Sequence, residues 1–207
     1  MPVSAWLEIT TICMLGAMSP GPSLAIILRE GVSGGLFAGV CASLSHALGI
    51  GLWAALTVFG LSSIMASSTN LYTTVSIMGA LYLGYLGITF LRSTGRAEIN
   101  LADENKRSVR KSFIAGFSIA ISNPKAMLFF AALFSQFIAT DLRLVEKIGL
   151  ILLASSIDAL WYVFVCILIS TSVLRAQLLR KTKVVDRVMG ALLLLLSCRM
   201  FYGLISQ

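Results

Sequence analysis

Six stretches of this chain, at about 5–28, 36–61, 71–91, 112–139, 147–173 and 186–205, each run for some twenty or more mostly apolar residues. A segment of that length and polarity matches the hydrocarbon core of a bilayer. Inside lipid no water is present to satisfy backbone N–H and C=O groups, so each stretch has to close its own hydrogen bonds as a helix. Composition agrees: 57% of residues are hydrophobic and 12% charged, with a mean hydropathy of +0.91, against roughly a quarter charged in soluble domains. The expected fold is an all-α polytopic membrane protein. It forms a single transmembrane domain over 1–207, which leaves little chain for any soluble domain.

Two of the stretches are broken near their middles by proline clusters, Ser19-Pro20-Gly21-Pro22 in the first and Ser122-Asn123-Pro124-Lys125 in the fourth. Proline removes a helical donor and clashes with the preceding turn, so a lipid-facing helix tolerates it only where neighbouring protein re-satisfies the freed groups. Broken helices in matched positions of two halves are a mark of transporters, where they line a polar site. The competing reading is a kink needed for packing alone.

The halves match elsewhere too. Ser43-Leu44-Ser45-His46-Ala47-Leu48 aligns with Ser155-Ser156-Ile157-Asp158-Ala159-Leu160, and Met78-Gly79-Ala80-Leu81 recurs as Met189-Gly190-Ala191-Leu192. Each match is short, but break, polar residue and repeat follow in the same order. Three spans per half put the second half in the opposite orientation. The reading is therefore a 3+3 inverted repeat with helices 1 and 4 broken: repeat 1 about 1–92, a cytoplasmic loop about 93–111 and repeat 2 about 112–207. A merely ancestral repeat, now packed rigidly, is the alternative.

Charge sets the expected orientation. Of a net +7, Arg29 follows the first stretch, Arg92 to Lys111 cluster after the third, and Arg175 to Arg187 cluster after the fifth, whereas 62–70 carries no charge. By the positive-inside rule those three loops are cytoplasmic and both termini outside. No basic run is left over for nucleic acid. Glu8 stands where a cleaved signal peptide would be basic, so the first span is expected to be retained. Cys13, Cys41, Cys166 and Cys198 lie singly in predicted spans. That pattern fits apolar packing better than a thiol relay or zinc site, both of which need clustered thiols.

At ~1.5 Å rise per residue, His46, Lys125 and Asp158 each fall about 15–20 Å from the face where their span begins, near the midplane. Asp158 is the sharpest candidate, because an acid in hydrocarbon ordinarily faces a cavity and binds a cation, an amine or a proton. The bland alternative is a structural ion pair with Lys125. Trp161 and Tyr162 follow at three and four positions, the spacing of one helical face, and suit an ammonium group through cation–π attraction or are simple packing. Lys125 opens the half-helix after Pro124, where the helix dipole disfavours a cation unless an anion is near. The amides and hydroxyl from Pro22 and Ser23 make a second carboxylate cradle. His46, the sole histidine, either relays protons or is hydrogen-bonded to a neighbouring helix. Arg199 lies about 10 Å from a span end and is expected to snorkel. Gly35, Gly39, Gly84 and Gly87 read as close helix contacts.

The first-span Ser-Pro-Gly-Pro, the fourth-span Ser-Asn-Pro-Lys-Ala, Gly79-Ala80-Leu81-Tyr82-Leu83 with Gly87, and Asp158-x-x-Trp161 together resemble the LysE/RhtB family of amino-acid exporters, over nearly the whole chain. The resemblance implies a multi-pass bacterial inner-membrane exporter of amino acids or close derivatives, driven by proton exchange, without a cofactor, and homodimeric. The expected site is then Asp158, Lys125, His46, Ser19, Pro20, Gly21, Pro22, Ser23, Asn123, Pro124 and Trp161, with the substrate carboxylate at the half-helix amides and its ammonium at Asp158. Export of a heavy-metal cation, a function of the wider superfamily, is the alternative, although it needs clustered ligands that a single His and scattered Cys do not supply. An intramembrane enzyme is the reading from another class. It lacks a second acid within a span interior, leaving only Ser19 with His46 as a conceivable pair.

Overall fold

The computed structural model of the chain describes residues 1–19, 21–92, 108–138, 142–169 and 172–205. Among them the regular elements are all helices: α1 Val3–Met18, α2 Pro22–Ser33, α3 Gly35–Ser67, α4 Thr69–Arg92, α5 Val109–Ser122, α6 Pro124–Phe134, α7 Leu144–Ile169 and α8 Ser172–Ile205. Three segments, Gly35–Ile64, Thr73–Arg92 and Leu144–Leu168, are each long and apolar enough to cross a membrane. The pairs α1–α2 and α5–α6 pass the same criterion jointly, which gives up to five candidate spans.

The proline clusters break the helices where the sequence places them. The axis turns by 60° between α1 and α2 and by 54° between α5 and α6. Pro22 and Pro124 each occupy the first turn of the following half-helix, the one helical position where a missing N–H costs nothing. Asn123 adds a cap, its Oδ1 accepting from the Lys125 amide at 3.1 Å. Pro20 lies outside the described residues, as does 93–107 of the predicted cytoplasmic loop.

Two expectations need correction. The stretch predicted over 186–205 is the end of α8, which already begins at Ser172. Hydropathy reports affinity for lipid, and the Arg and Lys residues before Asp186 that read as a loop are good helix formers. Gly35 is no close contact: a Cβ there would meet nothing within 4 Å, and its φ of +81° is the only positive value among the described residues. The position needs glycine because α2 reverses into α3 through a left-handed residue.

α3 shows what kind of solvent surrounds the protein. Its buried face carries Ser43, Ser45 and His46, while Leu44, Leu48, Leu52 and Leu56 are 44–59% exposed. Polar inside and leucine outside is the reverse of a helix in water, and it suits a surface bathed in hydrocarbon. Leu81, Leu152, Leu160 and Leu195 stand exposed likewise on α4, α7 and α8.

Inside, helices meet through small residues. A Cβ on Gly116 of α5 would lie 2.1 Å from the Ala42 carbonyl oxygen of α3, and one on Gly49 would lie 2.5 Å from Ala120. Gly87 of α4 and Gly190 of α8 each sit against the other's carbonyl, and Gly39 fits between Gly31 and Cys166. Such contacts let backbones approach closely where no hydrophobic force separates protein from lipid. The larger apolar core gathers Ile9, Ile50, Leu83, Leu133, Leu150 and Leu193 among others from six helices. A smaller one joins Leu24, Ile27 and Leu28 of α2 to Ala42, Tyr162, Val165 and Cys166. At the periphery Arg199 pairs with Glu8 of α1, rather than reaching out alone, and the Met1 ammonium pairs with Glu146 at the start of α7.

Candidate functional site

Both breaks open onto one cavity of about 70 Å³, room for several water-sized groups. Of the residues singled out from sequence, Ser19, Gly21, Pro22, Ser23, His46, Asn123, Lys125 and Asp158 all line it. Pro124 sets the helix start beside it without lining it. Trp161 turns away and packs against Phe164 instead. Tyr162 takes the place on the cavity wall that the i+3, i+4 spacing offered to either aromatic.

The first polar group is built on the crossing of α3 and α7. His46 Nδ1 and Asp158 Oδ2 lie 2.7 Å apart, both residues at most 5% exposed. With Asp158 ionised, its carboxylate can only accept, and Nδ1 would carry the proton and donate. Tyr162 meets the imidazole edge-on, with ring centroids 5.0 Å apart, and lines the cavity together with Ser23. Asp158 is therefore partnered by His46, the residue aligned with it in the other half, and Lys125 holds different company.

The second group belongs to the breaks. Lys125 Nζ donates to Ser19 Oγ at 3.0 Å and stands over the Phe90 ring at 4.2 Å from its centroid, a cation–π contact. Asp186 of α8, itself buried, acts on it electrostatically. Asn123 Nδ2 donates to Ser23 Oγ at 3.2 Å, so one side chain caps α6 and ties it to the start of α2. The rest of the wall is apolar, from Ile50, Phe129, Phe130 and Ala154.

Sequence reading singled out neither Phe90, which nothing marks among many apolar residues, nor Asp186, the first residue of the stretch predicted over 186–205. Asp158 is also not the only buried acid. Glu30 is fully buried, paired with Arg29 Nη2 at 3.2 Å and accepting from Ser112 Oγ at 2.8 Å. Neither Glu30 nor Asp186 lines the cavity, so among the described residues Asp158 faces no second acid there. Among the described residues no three His, Cys, Asp or Glu side chains are placed to hold a metal ion.

The arrangement presents a cation at one wall, an anion with its imidazole at another, and apolar surface between. The model of the LysE type translocator family matches residues 14–204. The threonine efflux protein of Escherichia coli K12 is 26% identical over 190 residues, spanning 90% of this chain and 92% of that protein. The threonine efflux protein of Salmonella typhi is 26% identical over 187 residues (89% and 91%). The uncharacterized membrane protein YrhP of Bacillus subtilis is 28% identical over 193 residues (88% and 91%). No solved structure matches.

Proposed function

We propose that this chain, which belongs to the LysE type translocator family and is a multi-pass membrane transporter rather than an enzyme, exports a small amino acid or close derivative across the bacterial inner membrane in exchange for protons. The observation that carries this reading is the cavity with Lys125 and Ser19 at one wall and Asp158 with His46 at another. A zwitterion is complementary to that pair of charges. Its carboxylate would meet Lys125, Ser19 and the amides opening α2 and α6. Its ammonium would meet Asp158 and the face of Tyr162. The names of the Escherichia coli and Salmonella relatives favour threonine as the first substrate to try.

The finer architecture belongs to the same proposal. Six spans as a 3+3 inverted repeat are supported by the matched breaks, by the contact between aligned His46 and Asp158, and by the pairing of α4 with α8 at Gly87 and Gly190, and both termini outside by the basic residues between the spans. In such a repeat the two halves exchange conformations to open the site alternately to each side. A homodimer is part of the proposal as well.

The test is efflux from proteoliposomes preloaded with a panel of labelled amino acids, with and without an imposed proton gradient, for wild type and Asp158→Asn. Gradient-dependent efflux of one class is expected, cut in the variant by roughly ten- to a hundredfold, the worth of a charge-assisted hydrogen bond at ~1.5–3 kcal/mol. Wild type that folds and moves no amino acid would sink the reading.

A further inference from the structure

The ring that holds Asp158 has a second nitrogen with nothing to do. His46 Nε2 is buried and has no hydrogen-bond partner among the described residues, although the ring lines the cavity. A buried polar atom left unsatisfied costs free energy and asks for an explanation. With Nδ1–H committed to Asp158, Nε2 of the neutral ring carries a lone pair and can only accept.

From this geometry we infer that His46 is the site of the exchanged proton, and that the proton on Nε2 and the substrate ammonium at Asp158 exclude one another. This inference rests on the export reading above. With the site empty of substrate, a proton from the outer side adds to Nε2 and gives an imidazolium whose Nδ1–H still bonds Asp158. The pair then has no net charge, and its ring has no lone pair to offer. When an ammonium arrives, it takes the carboxylate and meets the imidazole lone pair, so the ring must be neutral and its proton leaves to the inner side. One proton is gained and lost at Nε2 per cycle, and Asp158 stays ionised throughout.

The surroundings permit this. The titratable groups around the imidazole are Asp158 and Tyr162 on α7, Lys125 on α6 and Cys13 on α1, with Asp186 of α8 acting on Lys125. On α2 the charged pair Arg29 and Glu30 sits near the far end of the helix from Ser23, and α5 brings the small residues Gly116 and Ala120 against α3.

The experiment measures binding of radiolabelled threonine, then of the rest of the amino-acid panel, to purified wild type and His46→Gln across about pH 5 to 8, the range in which imidazole titrates. Alongside it, a pH indicator in weak buffer follows protons released when substrate is added to wild type. Wild-type affinity is expected to fall on the acid side by roughly tenfold per pH unit, the limit for one competing proton, with release of a proton on binding. His46→Gln is expected to bind more weakly with an affinity flat over that range, and its efflux is expected to lose acceleration by an imposed gradient. Should His46→Gln keep the wild-type acid loss, the proton sits elsewhere, with Asp158 first in line, and the inference falls. If the variant does not fold, His46→Asn takes its place in the same measurements, and binding by wild type without proton release overturns the inference outright. Wild type that binds no amino acid would remove the export reading itself, whereas binding that ignores pH removes only this inference.

Discussion

The two broken helices are near copies in outline and different in chemistry. α1–α2 and α5–α6 bend by 60° and 54°, and each second half opens on a proline. The second break looks after itself. Asn123 caps α6 through Oδ1, spends its amide on Ser23, and has Lys125 two residues after it. The first has no capping side chain: Gly21 occupies the N-cap of α2, leaving amides of the first turn that a helix cannot satisfy internally. One break is thus a finished, positively charged wall, and the other is an open set of donors steadied from across the gap. Matched backbone geometry does not require matched roles.

That contrast can be broken or sharpened at three positions. The largest effect is expected from Lys125→Met, which keeps the apolar stem to within one atom of its length and removes the cation. Transport should drop by roughly ten- to a hundredfold, at ~1.5–3 kcal/mol for a charge-assisted contact, with the protein still folded by melting in detergent. Near-normal efflux would erase the distinction between the breaks. Asn123→Ala removes the cap of α6 and the tie to Ser23 together, and should lower stability by about 1 kcal/mol, seen as a lower melting temperature, with a smaller change in transport than at Lys125. Gly21→Ala should do least. The backbone there is extended, with φ −175°, open to any residue, and an added Cβ would sit 3.8 Å from Lys125 Nζ, in ordinary contact. Stability within about 0.5 kcal/mol of wild type is expected. A sharp loss of transport at unchanged stability would show that Gly21 takes up another conformation during the cycle.

Much of this architecture could be read before any coordinates. The breaks and the helices over 36–61 and 71–91 follow from apolar run length and proline, and helical rise alone puts His46, Lys125 and Asp158 at one depth. What could not be read depends on tertiary packing. Helical period brings Trp161 and Tyr162 equally close to Asp158, on opposite sides of it, and only the roll of α7 against α2 and α3 chooses Tyr162. Likewise a lone acid and a lone lysine at one depth suggest a pair, yet the crossing of α3 over α7 hands Asp158 to His46 and leaves Lys125 to Ser19 and Phe90. The extent of α8 was hidden for another reason, since run length in lipid says nothing about how far a helix continues into water.

The reversed polarity of α3 inverts which substitutions the helix should tolerate. Its outward leucines turn about half of their surface to a fluid that accepts any apolar shape, so Leu, Ile, Val or Phe are interchangeable there at little cost. Its inward serines are small because Gly116 and Cys166 press against them, and volume rather than polarity is what limits them. On this helix the water-soluble intuition, that buried apolar positions are fixed and exposed ones free to become polar, applies to neither face.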